Sequence, residues 1–353
     1  MKSGVKKNSR RRIATWLFAG VFMLLVQIML GGITRLTESG LSITDWKPIT
    51  GVLPPLNQSE WMTEFDRYKQ TDQYRYMNSD FNLSDFKSIF FWEWFHRNWA
   101  RLMGMVFLVG FFYFLGTRQF ERDMVPALVI LFLLGIMQAI IGWIMVKSGL
   151  IPERMFVGHI QLATHFMAAM VLVCYTWWFA LSLAIPKSQR SYDPGLRKTI
   201  LVVMGLLCFQ LLYGAFMAGL HAATAAPTWP SINGMWIPSG MFSLSPGWKN
   251  FIDNKITVQF IHRGIAYLLL IAVIYWFLRA RKVTGTEYFR KARWVPMGLV
   301  VLQVVLGITT VVTSPDHKAL VVLGVTHQTV AILFLLSVVF MIFITRKAAV
   351  MDT

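Results

Sequence analysis

Four histidines stand inside apolar stretches, and they stand in two pairs. Glu93-Trp-Phe-His96-Arg97 is answered 166 residues later by Gln259-Phe-Ile-His262-Arg263, and His165 is answered by His327 at an offset of 162. Between them, Gln138-Ala-Ile-Ile-Gly142 is answered by Gln303-Val-Val-Leu-Gly307 at an offset of 165. Three near-equal offsets describe an internal repeat. Gln27 with Gly31-Gly32, and Gln210 with Gly219, extend it at a larger offset because the first intervening loop is longer. One histidine in an apolar helix is ordinarily a hydrogen-bonded packing residue; four in matched positions point to chemistry. Imidazole suits iron, copper and zinc. Zinc wants three or four ligands gathered at one point. Two imidazoles facing each other across a four-helix bundle fit the two axial faces of a haem instead. Gly104, Gly142, Gly264 and Gly307 would make room for a macrocycle or let helices pack closely, and the sequence does not separate the two. Arg97 and Arg263 each follow a ligand histidine, where a haem propionate, a carbonyl or a loop acid would serve as partner.

The two halves differ at one chemically informative place. Glu93 lies three residues before His96 and shares its helical face; the matching residue is Gln259. A carboxylate can move protons and an amide cannot titrate. The first site therefore reads as reactive, and the second as a bis-histidine electron-transfer haem. Pairing of Glu93 with Arg97 or Arg101 alone is the competing, purely structural role.

The elements that must hold these residues follow from composition. The chain has 353 residues, 56% of them hydrophobic and 14% charged. A soluble domain carries about 25% charged residues, so a soluble enzyme, a disordered chain and a fibrous protein are excluded. Spanning helices need about 20 apolar residues. Eight segments qualify: 13–33, 92–116, 124–146, 157–185, 199–220, 256–280, 294–313 and 319–345. The first is too long for a signal-peptide core and lacks a cleavage site, so it reads as a retained anchor. The fold class is all-α integral membrane, with eight transmembrane helices as two pseudo-symmetric four-helix bundles, 1–190 and 191–353. An even number of spans per half gives both halves the same topology, hence a pseudo-two-fold axis along the membrane normal.

The net charge is +17, from 34 basic and 17 acidic residues. Sorted by alternate loops, the side of the termini holds 20 basic and 5 acidic residues, a net +15. That asymmetry makes the side cytoplasmic and argues against a nucleic-acid footprint. The histidines then lie near the outer face. Outer segments 34–91 and 221–255 read as loops, with Trp46, Trp61, Pro48, Pro54 and Pro55 in one and Trp229, Trp236 and Trp248 in the other. These tryptophans read first as interfacial anchors, and the loops as caps over a site. Cys174 and Cys208 fall inside spans, where they read as small buried hydrophobes. His159, His221 and His317 have no repeat partner in register and read as interfacial.

The ordered motifs resemble those of one family. Gly31-Gly-Ile-Thr-Arg-Leu-Thr-Glu-Ser-Gly-Leu-Ser-Ile-Thr-Asp-Trp-Lys-Pro-Ile-Thr-Gly-Val-Leu-Pro-Pro55 closely resembles the first-loop signature of haem A synthases. Glu93-x-x-His96-Arg97, Gly142-Trp-Ile-Met-Val-Lys-Ser-Gly149, Thr228-Trp-Pro230, Asn233-Gly234, Gln259-Phe-Ile-His-Arg263 and Thr326-His327-Gln328 are similar to its later motifs. The resemblance covers the whole chain, nearest to the branch of mitochondria and Gram-negative bacteria. It implies oxidation of haem O to haem A for terminal oxidases: a porphyrin methyl is hydroxylated twice, and the diol loses water to leave a formyl group. It implies haem b as cofactor on His262 and His327 with Arg263, substrate haem on His96 and His165 with Arg97, and Glu93 in the chemistry. It implies a bacterial inner-membrane location, haem O synthase as supplier, and an electron-transfer partner. Some members carry a cysteine pair in each half's outer loop; this chain has none, so a thiol relay cannot operate. A di-haem b-type electron carrier without chemistry on haem is the alternative, and a haem transporter or chaperone a third. The residues leave the oligomeric state open and imply no nucleic-acid partner.

Overall fold

A computed structural model describes residues 2–45 and 50–347. Trp46, Lys47, Pro48 and Ile49 lie outside the described residues, as does Asp352, one of the five acidic residues counted on the side of the termini. The helices are α1 (Lys2–Leu36), α2 (Gln58–Tyr68), α3 (Asp72–Met77), α4 (Leu83–Gly116), α5 (Met124–Gly149), α6 (His159–Ala184), α7 (Pro194–Gly219), α8 (Lys255–Ala280), α9 (Glu287–Ala292), α10 (Trp294–Val312) and α11 (His317–Ile344). Among the described residues, eight are long and apolar enough to cross a membrane: α1, α4, α5, α6, α7, α8, the α9–α10 stretch and α11. The chain is a multi-pass, all-helical membrane protein.

The helix starts show why apolarity alone misplaced some boundaries. α4 begins nine residues before the expected 92, because Asn82 and Asp85 form a reciprocal capping box. α7 begins at Pro194 instead of 199, with the Asp193 carboxylate accepting from Leu196 N at 2.6 Å. Caps are polar, so a hydropathy reading stops short of them. The segment 34–91 is also not one loop. α2, α3 and the head of α4 fold over each other there around Phe65, Tyr68 and Phe86, all buried, with Trp61 packed on Phe90 at 5.0 Å. Trp61 thus belongs to a small aromatic core. Trp229, Trp236 and Trp248 are exposed.

In the first half, α1 packs on α4 and α6, and α5 on α6; in the second, α7 packs on α8 and α11, and α10 on α8 and α11. The halves meet through α1, α6, α7 and α11. α11 is the most enclosed helix, with Ile332, Phe334, Met341 and Phe343 fully buried. Lipid tails are as apolar as leucine, so helix association rests on close packing and interhelical hydrogen bonds worth about 0.6–2 kcal/mol each. Trp99 Nε1 donates to Met23 O at 2.9 Å, and Trp177 Nε1 to Leu336 O at 3.1 Å. Gln328 Nε2 donates to Ile28 O at 2.7 Å. Cys174 is half-buried, but Cys208 is exposed on the outside of α7, so it is a surface residue and not a core hydrophobe.

Candidate functional site

Each of the four histidines faces a glycine on a neighbouring helix. A Cβ added at Gly31 (α1) would sit 3.3 Å from the His96 ring on α4, and one at Gly142 (α5) 2.8 Å from the His165 ring on α6. The second half repeats this: 3.3 Å between Gly214 (α7) and His262 on α8, and 3.1 Å between Gly307 (α10) and His327 on α11. Side chains at these four positions would intrude on the rings. Gly142 and Gly307 therefore lie against the rings, whereas Gly104 and Gly264 border open space, an added Cβ there meeting nothing within 4 Å. The glycine answering Gly31 is Gly214, not Gly219, which packs on His159. A constant offset of 183 from Gln27 to Gln210 would have found it.

Glutamines hold three of the four rings. Gln138 Nε2 lies 3.3 Å from His165 Nδ1 and donates to the His165 carbonyl at 3.1 Å. Gln303 does the same at His327, 3.3 Å from Nε2 and 3.1 Å from the carbonyl, and Gln210 reaches His262 at 3.2 Å. The Oε1 atoms of Gln27, Gln138, Gln210 and Gln303 are buried without a hydrogen-bond partner, as are Nδ1 of His262 and His327. Buried polar atoms of this kind call for a ligand or water. Paired imidazoles with glycine-walled space beside them suit axial ligation of a haem in each half. The glutamines marked the repeat in the sequence, but nothing there showed them touching the rings.

Glu93 is 2% exposed and fully engaged. Its Oε2 accepts from Ser42 Oγ and Ile43 N, both at 2.8 Å, and its Oε1 from Arg97 at 2.5 Å. Arg97 also donates to Ile43 O at 2.9 Å and Asp45 O at 3.3 Å. In the other half, Gln259 Nε2 donates to Ala226 O at 3.0 Å, while Arg263 donates to Ala226, Thr228 and Ser231 carbonyls at 3.3, 2.7 and 3.2 Å. Both arginines thus use loop carbonyls, and both ExxHR and QxxHR anchor the segment that leaves the preceding span. The difference is sign: Glu93 brings a buried negative charge beside His96, and Gln259 brings none.

The three remaining histidines are not all bystanders. His159 at the head of α6 comes within 2.9 Å of Asp253, and His221 lies 3.8 Å from Glu38 and packs against Phe156 with the rings tilted at 48°. His317 opens α11 next to its cap Asp316.

Fold and site together define an eight-span helical membrane protein with two repeat-related histidine pairs, each ring set against a glycine of a neighbouring helix. Residues 14–339 match the family model described as cytochrome oxidase assembly protein. The chain is 42% identical over 316 residues to a protein of Parvibaculum lavamentivorans named "Heme A synthase", covering 90% of this chain and 89% of that one. It is 40% identical to the protein of that name from Paracoccus denitrificans, covering 91% and 84%, and 39% identical to that of Brucella anthropi, covering 95% and 92%. The chain belongs to the cytochrome oxidase assembly protein family.

Proposed function

We propose that this protein is a membrane oxidoreductase that converts haem O to haem A, oxidising a porphyrin methyl group to a formyl group. The observation that carries the reading is a buried carboxylate, Glu93, one turn from a glycine-walled histidine pair, in a chain whose relatives bear that activity in their names. His96 and His165 hold the substrate haem, walled by Gly31 and Gly142. His262 and His327 hold haem b, which when bound supplies one-electron transfer. Glu93, paired with Arg97 and accepting from two donors of the 42–43 segment, takes a proton from the water whose oxygen enters the methyl as each hydroxylation gives up two electrons, and passes a proton from one hydroxyl of the resulting diol to the other as water leaves. Arg97 and Arg263 hold the outer segments over the two haems. The halves, 1–190 and 191–353, are two bundles related by a pseudo-two-fold axis. The matched glycine and glutamine contacts in each half support that relation.

We place the protein in the bacterial inner membrane with both termini cytoplasmic and both sites near the outer face, from the +15 on the side of the termini. Haem O comes from a haem O synthase, and electrons leave through a partner by way of the second haem. Co-expression with a haem O-forming enzyme, followed by mass analysis of extracted haem, tests the function. Haem A is expected from the wild type and haem O alone from His96→Ala; unchanged haem O in both defeats the proposal.

A further inference from the structure

The two four-helix bundles close differently. In the second half α8 packs along α10, so all four neighbouring helix pairs are joined. In the first half the corresponding helices, α4 and α5, barely touch. What joins them lies at the end near their connecting turn, where Phe107 stacks on Phe132 at 6.2 Å above a cluster of Phe114, Met124, Leu128 and Leu131.

The sequence register shows how the difference is made. The offsets that match His96 to His262 and Gln138 to Gln303 also match Gly104 to Leu270 and Gly135 to Val300. Val300 is 2% exposed and shares a core cluster with Leu269 and Val273 of α8, against which Leu270 also packs. At Gly104 and Gly135 an added Cβ meets nothing within 4 Å. The residues that fill the α8–α10 seam are absent from the α4–α5 seam. Gly135 lies three and seven residues before Gln138 and Gly142, both of which face His165, so it shares their face of α5. The open seam therefore runs on from the His96/His165 pocket. From Gly135 to Gly142 it covers about 10 Å of helix. Beside it, the Oε1 of Gln138 is buried without a partner.

We infer that the α4–α5 seam is the seat of the isoprenoid chain of the substrate haem, and that this haem enters its pocket sideways from the bilayer through the same gap. The inference rests on the proposed function, since it takes haem O as the occupant. Haem O carries a long hydrocarbon chain with a hydroxyl at its root. The chain needs an apolar channel open to lipid, and the hydroxyl needs an acceptor such as Gln138 Oε1. A cofactor haem without that chain needs no such channel, which fits the filled seam of the second half; the Oε1 of Gln303 is unpartnered in the same way, so the seam and not the glutamine distinguishes the two sites.

The test fills the first seam as the second is filled. Gly135→Val and Gly104→Leu, singly and together, are made in the full chain carrying its second-half haem, in phosphatidylcholine nanodiscs. Haem O and haem B, the same macrocycle without the chain, are titrated spectroscopically. Gly135→Val is expected to weaken haem O binding at least tenfold and to change haem B binding less than twofold. Unchanged haem O binding in the double variant overturns the inference, as does equal weakening of both haems. Retained haem at His262/His327 reports the fold; if Gly135→Val loses it, Gly135→Ala decides on a threefold criterion. The underlying reading fails separately: if haem O binding survives in the double variant His96→Ala/His165→Ala, the pocket is not the substrate site.

Discussion

Glu38, two residues past the end of α1, and His221, two residues past the end of α7, both adopt left-handed backbone and bring their side chains to 3.8 Å from each other. φ is 57° at Glu38 and 53° at His221, values that cost a non-glycine residue about 1–3 kcal/mol. They lie 183 residues apart, the same offset as Gln27 to Gln210 and Gly31 to Gly214. The Arg35 guanidinium donates to the Ala218 carbonyl, again at 183. The two chain exits thus meet each other between the halves, and the strained residue at each exit is in register.

This meeting point is pH-sensitive. Burial, reinforced by the charges of Arg35 and Lys255, outweighs nearby Glu38 and pulls His221 down to about 4 from an ordinary 6.5. A depressed histidine is neutral when folded and takes its proton on unfolding. The unfolded chain then binds more protons between pH 6.5 and 4, so stability falls as pH drops through that window and levels off below it. His221→Gln is expected to flatten this acid limb. Thermal unfolding in detergent from pH 7.5 to 4, wild type against variant, measures it; parallel curves would refute the assignment.

A buried relay holds Glu38 in place. Asn78 Nδ2 donates to Tyr68 Oη at 2.7 Å, Tyr68 Oη donates to Gln73 Oε1 at 3.1 Å, and Gln73 Nε2 donates to the Glu38 carbonyl at 3.0 Å. Tyr68 is fully buried, and burial pushes its hydroxyl up to about 12. Tyr68→Phe leaves both amides short of a partner and is expected to cost about 1–3 kcal/mol. Chemical denaturation reads that loss, and absorbance titration of the wild type should show Tyr68 un-ionised at pH 11.

The glycines facing the rings predict haem content. Gly307→Ala places a methyl 3.1 Å from the His327 ring, and Gly142→Ala one 2.8 Å from His165. Overpacking of about 1–3 kcal/mol weakens binding roughly ten- to a hundredfold. Gly307→Ala should therefore lose the tightly bound haem, as should His262→Ala and His327→Ala, while Gly142→Ala keeps it and loses substrate haem. Pyridine haemochromogen per protein separates the outcomes.

The contrast between Gly31–Gly214 and Gly104–Gly264 shows what a sequence reveals here. Apolar runs long enough to cross lipid have one backbone solution, so all eight spans were legible, and the matched offsets located the four histidines. Which glycine faces a ring depends on helix rotation, and spacing alone left Gly104 and Gly142 equal. The fold of α2 and α3 over the outer end was hidden because a small aromatic core has no membrane-length run. For Arg97 the residues left a propionate, a carbonyl and a loop acid equally open, because a carbonyl partner has no side-chain identity to read.

Glu93 carries two roles that one substitution separates. It anchors the 42–43 segment by accepting from Ser42 and Ile43, and it brings the charge beside His96. In Glu93→Gln one amide oxygen still accepts from Ile43 N, and Arg97 still holds Ile43 O and Asp45 O. The amide nitrogen leaves a donor unmatched, so stability should fall by about 1–3 kcal/mol. The outer segment stays anchored, just as Gln259 serves its own segment through Ala226 O. Substrate haem should therefore remain bound. Conversion should stop, because the amide takes no proton. Haem analysis of the purified variant co-expressed with a haem O-forming enzyme should find haem O in the first site and no haem A. Full conversion in Glu93→Gln would leave Glu93 only its anchoring role.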